Sequence, residues 1–143
     1  MFQRYTEQAR RGIFRARYEA TRYGTEEIDD VELLLGVLTA DGALAERLEE
    51  FGVTIAMIRE QFAPTQERIA TNVDLTLSGH AKTALMFTTE EADRIGAIEI
   101  DTSHVVTALA RIESSRAAEM LAASGLTPER LREILFHGVD ACL

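Results

Sequence analysis

The chain has one cysteine, no tryptophan, two prolines and a single lysine. With only Cys142, an internal disulfide is excluded, which fits a reducing compartment. A thiol next to a chain end also has no shielded base to make it a nucleophile. A nucleotide-binding phosphate loop needs glycines ending in Gly-Lys-Ser/Thr. The only lysine, Lys82, follows Ala81, so no such loop exists and no nucleotide binding is expected of this chain. No apolar run approaches the ~20 residues that span a bilayer. The opening MFQRYTEQARR lacks the apolar centre of a secretory signal, so a soluble, cytoplasmic protein without membrane contact is expected. The three histidines, His80, His104 and His137, stand at no metal-ligand spacing from a cysteine or carboxylate in sequence. No metal or cofactor is expected, and His104 is read as a structural hydrogen-bonding or solvent-exposed group rather than a ligand or base.

The hydrophobic fraction of 46% is that of a folded domain. Net charge is −9, unevenly spread. Residues 1–23 carry Arg4, Arg10, Arg11, Arg15, Arg17 and Arg22 against Glu7 and Glu19, a balance of +4 that leaves −13 for the remainder. An acidic surface repels nucleic acid and anionic membranes at long range. The basic first segment is the one place for an anionic partner. Arg4, Arg11, Arg15 and Arg22 share one side of a helix there and suggest a stripe for an acidic partner, with a solvated face as the plainer reading.

Hydrophobic periodicity is helical throughout. Thr6 reads as an N-cap, and Ala9, Ile13, Ala16, Ala20 and Tyr23 line one face of the helix that follows. Gly24 ends it. Asp30 is the expected cap of a second helix, apolar over most of its circumference and therefore central. Asp41 and Gly42 break it. A third helix, closed by Gly52, carries Leu44, Ala45, Leu48 and Phe51; Thr54 caps a fourth with Ile55, Ile58 and Phe62 inward. Residues 63–74 are polar and contain Pro64, as a linker would. The order then repeats. Ser78 caps a helix bearing Ala81, Leu85, Thr88, Ala92 and Ile95, stopped by Gly96. Thr102 caps the next, Gly125 ends the seventh, and Thr127-Pro128 starts the eighth.

The repeat is visible residue by residue. Ala9, Glu19, Ala20, Arg22, Gly24, Ile28 and Asp29 recur 72 positions on, as Ala81, Glu91, Ala92, Arg94, Gly96, Ile100 and Asp101. Further along, Leu48, Gly52, Thr54 and Arg59 recur as Leu121, Gly125, Thr127 and Arg132. Coincident glycines and caps mark a tandem duplication rather than generic helical patterning. The expected fold is all-α, without β-sheet: two four-helix repeats, 2–62 and 75–139, related by a pseudo-twofold axis within one domain, 1–143.

Several segments resemble the double N-terminal repeat of the Clp ATPases, in a form similar to the ClpC-like N-domain. MFQRYTEQARR is similar to that family's Phe-x-Arg-Phe-Thr-x-x-Ala-Arg opening, IDDVELLLGVL to its Ile-Gly-Thr-Glu-His-Leu-Leu-Leu-Gly-Leu-Leu, and LAERLEEFGV to its Ala-Ala-x-x-Leu-x-x-Leu-Gly-Val. The resemblance implies a non-catalytic domain that receives substrate and adaptor proteins for a Clp ATPase ring, free-standing or as the N-domain of an unfoldase. It also implies a hydrophobic and basic partner-binding groove, whose matching positions are Phe2, Arg10, Leu77 and Lys82. Leu77 replaces a phenylalanine. The family's phosphoarginine pocket uses a glutamate in each repeat; Val31 and Ser103 stand there, so that recognition is expected to be lost or weakened, since a carboxylate is what pairs with a guanidinium.

No constellation points to an enzyme. The acidic groups Glu26-Glu27, Asp29-Asp30 and Glu90-Glu91-Asp93 have the composition of acid/base pairs, but solvated helix ends are the plainer reading, and shared capping explains Asp29 and Asp101. The alternative function is a nucleic-acid-binding or ligand-binding regulator that uses the arginine face of the first helix or the groove between repeats. The acidic remainder and the lack of a reading motif argue against nucleic acid.

Overall fold

The computed structural model describes residues 2–23, 27–61 and 76–141. Among the described residues eight helices run in the order α1 (Glu7–Tyr23), α2 (Asp30–Ala40), α3 (Gly42–Glu49), α4 (Ile55–Gln61), α5 (Gly79–Arg94), α6 (Thr102–Ala110), α7 (Arg116–Ala123) and α8 (Pro128–Ala141). Gly24, Phe62, the 63–74 linker, Cys142 and the side chains of Tyr23 and His137 lie outside the described residues.

Position dictates each helix. Thr6 Oγ1 accepts from the Ala9 N–H at 3.1 Å, and Ser78 Oγ accepts from Ala81 at 3.1 Å. Thr54 and Thr127 do the same for α4 and α8. Gly52, Gly96 and Gly125 close their helices with φ of 90°, 68° and 77°, where a side chain would be strained. Two expected caps are displaced by one residue. Asp29, not Asp30, caps α2, and Asp101, not Thr102, caps α6. Asp30 and Thr102 are the first helical residues, which frees their side chains for other partners.

α2 is buried from Asp30 through Leu38, and α6 from Val105 through Ala110. α1 packs along α2, α5 along α6, and α2 meets α6 between the repeats. Each buried leucine of α2 contributes about 2 kcal/mol of hydrophobic stabilisation. α1 and α2 lie close because Gly12 and Gly36 face one another across the contact. A Cβ on Gly36 would come within 2.7 Å of the Ala16 backbone nitrogen.

The strand-free expectation is corrected in one respect. Two-residue segments β1 (Glu27–Ile28) and β2 (Thr76–Leu77) pair in parallel, and Tyr5 forms an isolated parallel bridge with Ile100. These pairings are reciprocal. The turn before α2 binds the segment before α5, and the turn before α6 binds the segment before α1. The Thr6 N–H donates to the Ile100 carbonyl and the Ser78 N–H to the Ile28 carbonyl, both at 2.9 Å. Each repeat thus lends a turn to start the other's first helix, as a pseudo-twofold axis requires.

Candidate functional site

The seam between repeats holds a polar network. Thr6 Oγ1 donates to Asp101 Oδ1 at 2.9 Å; its counterpart Ser78 Oγ donates to Asp29 Oδ1 at 2.6 Å. Behind each aspartate a third residue completes a capping box. The Asp29 N–H donates to Glu32 Oε1 at 2.9 Å, and the Asp101 N–H donates to His104 Nδ1 at 2.9 Å. Two further bonds cross the seam. The Ala117 N–H at the start of α7 donates to Asp30 Oδ2 at 2.7 Å, and Thr102 Oγ1 donates to Asp41 Oδ2 at 2.7 Å.

Burial sets the electrostatics. Glu32 is 0% exposed, its Oε2 has no partner, and Asp29 and Asp30 stand nearby. Burial first, then these like charges, push its carboxyl up to about 7. Burial raises Asp30 as well, with Asp29 adding to it. Burial works to raise Asp29 too, but the Ser78 hydroxyl and bonds with Asp30 outweigh it and hold that carboxyl below the usual range. Burial depresses His104, which stacks on Phe136 with ring centres 4.9 Å apart. The structural reading of His104 holds.

Two buried ion pairs are also related by the repeat. Arg59 grips Glu19 with both nitrogens, at 2.8 and 2.7 Å; Arg132 grips Glu91 at 2.9 and 2.9 Å. Arg111 and Arg94 add to Glu91 at 3.2 and 3.9 Å. Burial alone would raise Glu91, but these arginines hold it below the usual carboxylate range. Glu91 and Asp30 are therefore buried structural groups, which corrects the solvated-end reading. The duplicated Glu and Arg were the signal in the sequence.

The fold also brings His80 to Asp29 and Asp30, a proximity that sequence spacing did not show. One ligand atom from each lies within 4.8 Å of the others. By chemistry these three could hold a divalent cation. Asp29 Oδ1 and Asp30 Oδ2 are already engaged by Ser78 and Ala117, and His80 reaches Ser114 Oγ with its other nitrogen at 3.2 Å.

The four matched positions, Phe2, Arg10, Leu77 and Lys82, fall on the first segments of the two repeats. Phe2 meets Tyr5 edge to face, ring centres 5.1 Å apart. Leu77, the counterpart of Tyr5, packs on the core. Arg10 and Lys82 are counterparts on α1 and α5, and both are exposed. Among the described residues their side chains have neither hydrogen bond nor ion pair, and no ring contact, hydrogen bond or ion pair links any two of the four. Val31, in place of the glutamate, is buried, and Glu32 is turned into the seam, so neither offers an accessible carboxylate.

The arginine stripe is not as drawn from sequence. Arg4 is consumed by Asp93 at 2.9 Å and by the Ala97 and Ile98 carbonyls. Arg11 pairs with Glu7 at 2.7 Å, and Arg22 has a partner as well. What lies open on α1 is a concavity of about 440 Å³ lined by Glu7, Arg10, Arg11, Phe14, Arg15 and Tyr18.

Among the described residues no helix is long and apolar enough to cross a membrane. Comparison with known proteins gives a consistent result. The family model "Clp repeat (R) N-terminal domain" matches residues 4–124. Chaperone protein ClpB of Oceanobacillus iheyensis is 28% identical over 138 residues, 93% of this chain and 17% of that protein. Chloroplastic chaperone protein ClpC1 of Oryza sativa is 29% identical over 135 residues, 92% of this chain and 15% of that protein. The chain thus spans less than a fifth of the length of these relatives. In fold, the N-terminal domain of the chaperone ClpD from Arabidopsis thaliana superposes with a TM-score of 0.73 at 21% identity, covering 98% of this chain and 97% of that one.

Proposed function

Since this chain belongs to the Clp repeat N-terminal domain family, we propose that it is a non-catalytic protein-recognition module that binds substrates or adaptors of the Clp protease and unfoldase system in the cytoplasm. The observation that carries this reading is the exposed, unpaired pair of cations, Arg10 and Lys82. They occupy equivalent turns of α1 and α5. Among the described residues the buried carboxylates serve the seam or the ion pairs. Phe2, Arg10, Leu77 and Lys82 form the partner-binding positions, and no cofactor enters.

Affinity capture tests this. The immobilised chain retains Clp ATPases, adaptors or Clp substrates from a bacterial lysate, and R10A with K82A reduces that retention. Retention of no Clp-system protein, or of nucleic acid alone, refutes it.

A further inference from the structure

The open face of α1 differs from its counterpart on α5 in how its stacked arginine is neutralised. On α5, the Arg111 guanidinium lies over the Phe87 ring at 3.9 Å, and Glu90 and Glu91 neutralise it at 3.0 and 3.2 Å. That is a closed set: aromatic ring, arginine, carboxylates. α1 carries an arginine–ring stack of its own, at positions that are not counterparts, and among the described residues no exposed carboxylate bonds its arginine. The Arg15 guanidinium lies over the Tyr18 ring at 4.4 Å, and Tyr18 stands where the other repeat has Glu90. The nearest carboxylate, Glu19, is already gripped by Arg59 and lies 3.7 Å from Arg15 Nε, too far for a hydrogen bond. That buried Nε has no hydrogen-bond partner.

Around this incomplete set the surface is apolar and positive. Phe14 is 74% exposed and Tyr18 48%, one helical turn apart, with Arg10 a turn before Phe14. The concavity they share carries three arginines and one glutamate. A large exposed aromatic rimmed by cations is the composition of an interface centre rather than of a solvated helix face.

We propose that this face, Arg10, Phe14, Arg15 and Tyr18, docks an acidic peptide segment of a protein partner, one that places a glutamate or aspartate beside an apolar side chain. The carboxylate does for the Arg15 or Arg10 guanidinium what Glu90 does for Arg111 on α5; the apolar side chain lies on Phe14 and Tyr18. This rests on the protein-recognition reading and names the partner's chemistry.

The probe is a short fluorescein-labelled peptide alternating glutamate with phenylalanine, its glutamine isostere, and the full chain, read by fluorescence anisotropy. The glutamate peptide binds at least about tenfold more tightly than the isostere, the loss expected when one charge-assisted pair is removed. R10Q with R15Q erases that difference. F14S weakens both peptides, and M86S, on the counterpart face of α5, changes neither. Phe14 projects into solvent, so F14S keeps the wild-type melting temperature. Equal affinity for the two peptides, or an unchanged affinity in R10Q with R15Q, overturns the inference. So does binding of duplex DNA or anionic vesicles in place of the glutamate peptide, or a self-association that F14S abolishes while the peptide stays unbound. If Clp proteins are captured but the peptides are not discriminated, only this inference fails. If the peptides are discriminated but no Clp protein is captured, only the Clp reading fails.

Discussion

Replacing Glu32 with glutamine should make the protein more stable, by a margin that grows as pH rises above about 4.5 and is complete above about 7. The group is 0% exposed and one carboxyl oxygen has no partner. In the folded chain it keeps its proton up to about 7, whereas its ordinary value is 4.5. The folded state therefore binds the proton more tightly than the unfolded chain. The stability this provides is full below about 4.5, falls as pH rises towards 7, and is gone above it. A difference of this size corresponds to about 3 kcal/mol at pH 8, at 1.36 kcal/mol per pH unit. Glutamine removes the ionisation while its carbonyl oxygen still accepts the Asp29 N–H. Thermal melts of E32Q and wild type at pH 5 and pH 8 give the assay. At pH 8 the variant should melt roughly 6 °C higher or more, given about 2–4 °C per kcal/mol for a chain of this size. At pH 5 the gap should shrink to about 1 kcal/mol or less, roughly 3 °C at most. His104, whose folded form favours neutrality, destabilises both proteins alike in acid and cancels from the difference. An equal Tm difference at both pH values, or E32Q melting lower at pH 8, would refute the reasoning.

The two buried ion pairs should respond unequally. R59M leaves Glu19 inside the fold with only a distant Arg15, at a cost of about 3–5 kcal/mol in urea unfolding. R132M leaves Arg111 and Arg94 beside Glu91, so its loss should be about half of that or less; equal losses would refute this account. G36A should cost about 3 kcal/mol or more by the same assay, because the added carbon meets the α1 backbone, which cannot yield as a side-chain tip would. A variant within ~0.5 kcal/mol of wild type would mean that α1 and α2 can slide apart freely.

What could be read from the sequence was what is local. Helix starts at Thr6, Thr54, Ser78 and Thr127 depend on one side chain and a backbone N–H three residues on. Stops at Gly52, Gly96 and Gly125 depend on a single φ. The caps of α2 and α6 were misplaced by one residue because Asp29-Asp30 and Asp101-Thr102 each offer two capping side chains in succession. Which one caps is settled by Ser78, Ala117, Thr6 and Asp41, all distant in sequence. The Gly12–Gly36 contact was illegible, since a glycine within a helix looks the same whether or not another backbone approaches it. The Arg10–Tyr18 face was hidden for a related reason. Its arginines are grouped by charge alone in the sequence, and only the fold shows that Arg4 is tied down while Phe14 points outward.

The exchange of turns explains why the halves could diverge where they did. Thr6 and Ser78 each perform two tasks, capping their own helix and binding the other repeat's aspartate. Neither half completes its first helix alone, so a change at Asp29 or Asp101 damages both. The next position inward tolerates a swap of chemistry, glutamate for histidine, because either offers an acceptor to the aspartate N–H. The outward turns of α1 and α5 carry no such obligation. There Phe14 and Tyr18 stand opposite Met86 and Glu90, so one face is aromatic and cationic while the other is neutralised from within. A symmetric scaffold thereby presents two unlike surfaces, and a partner that reads charge would approach only one of them.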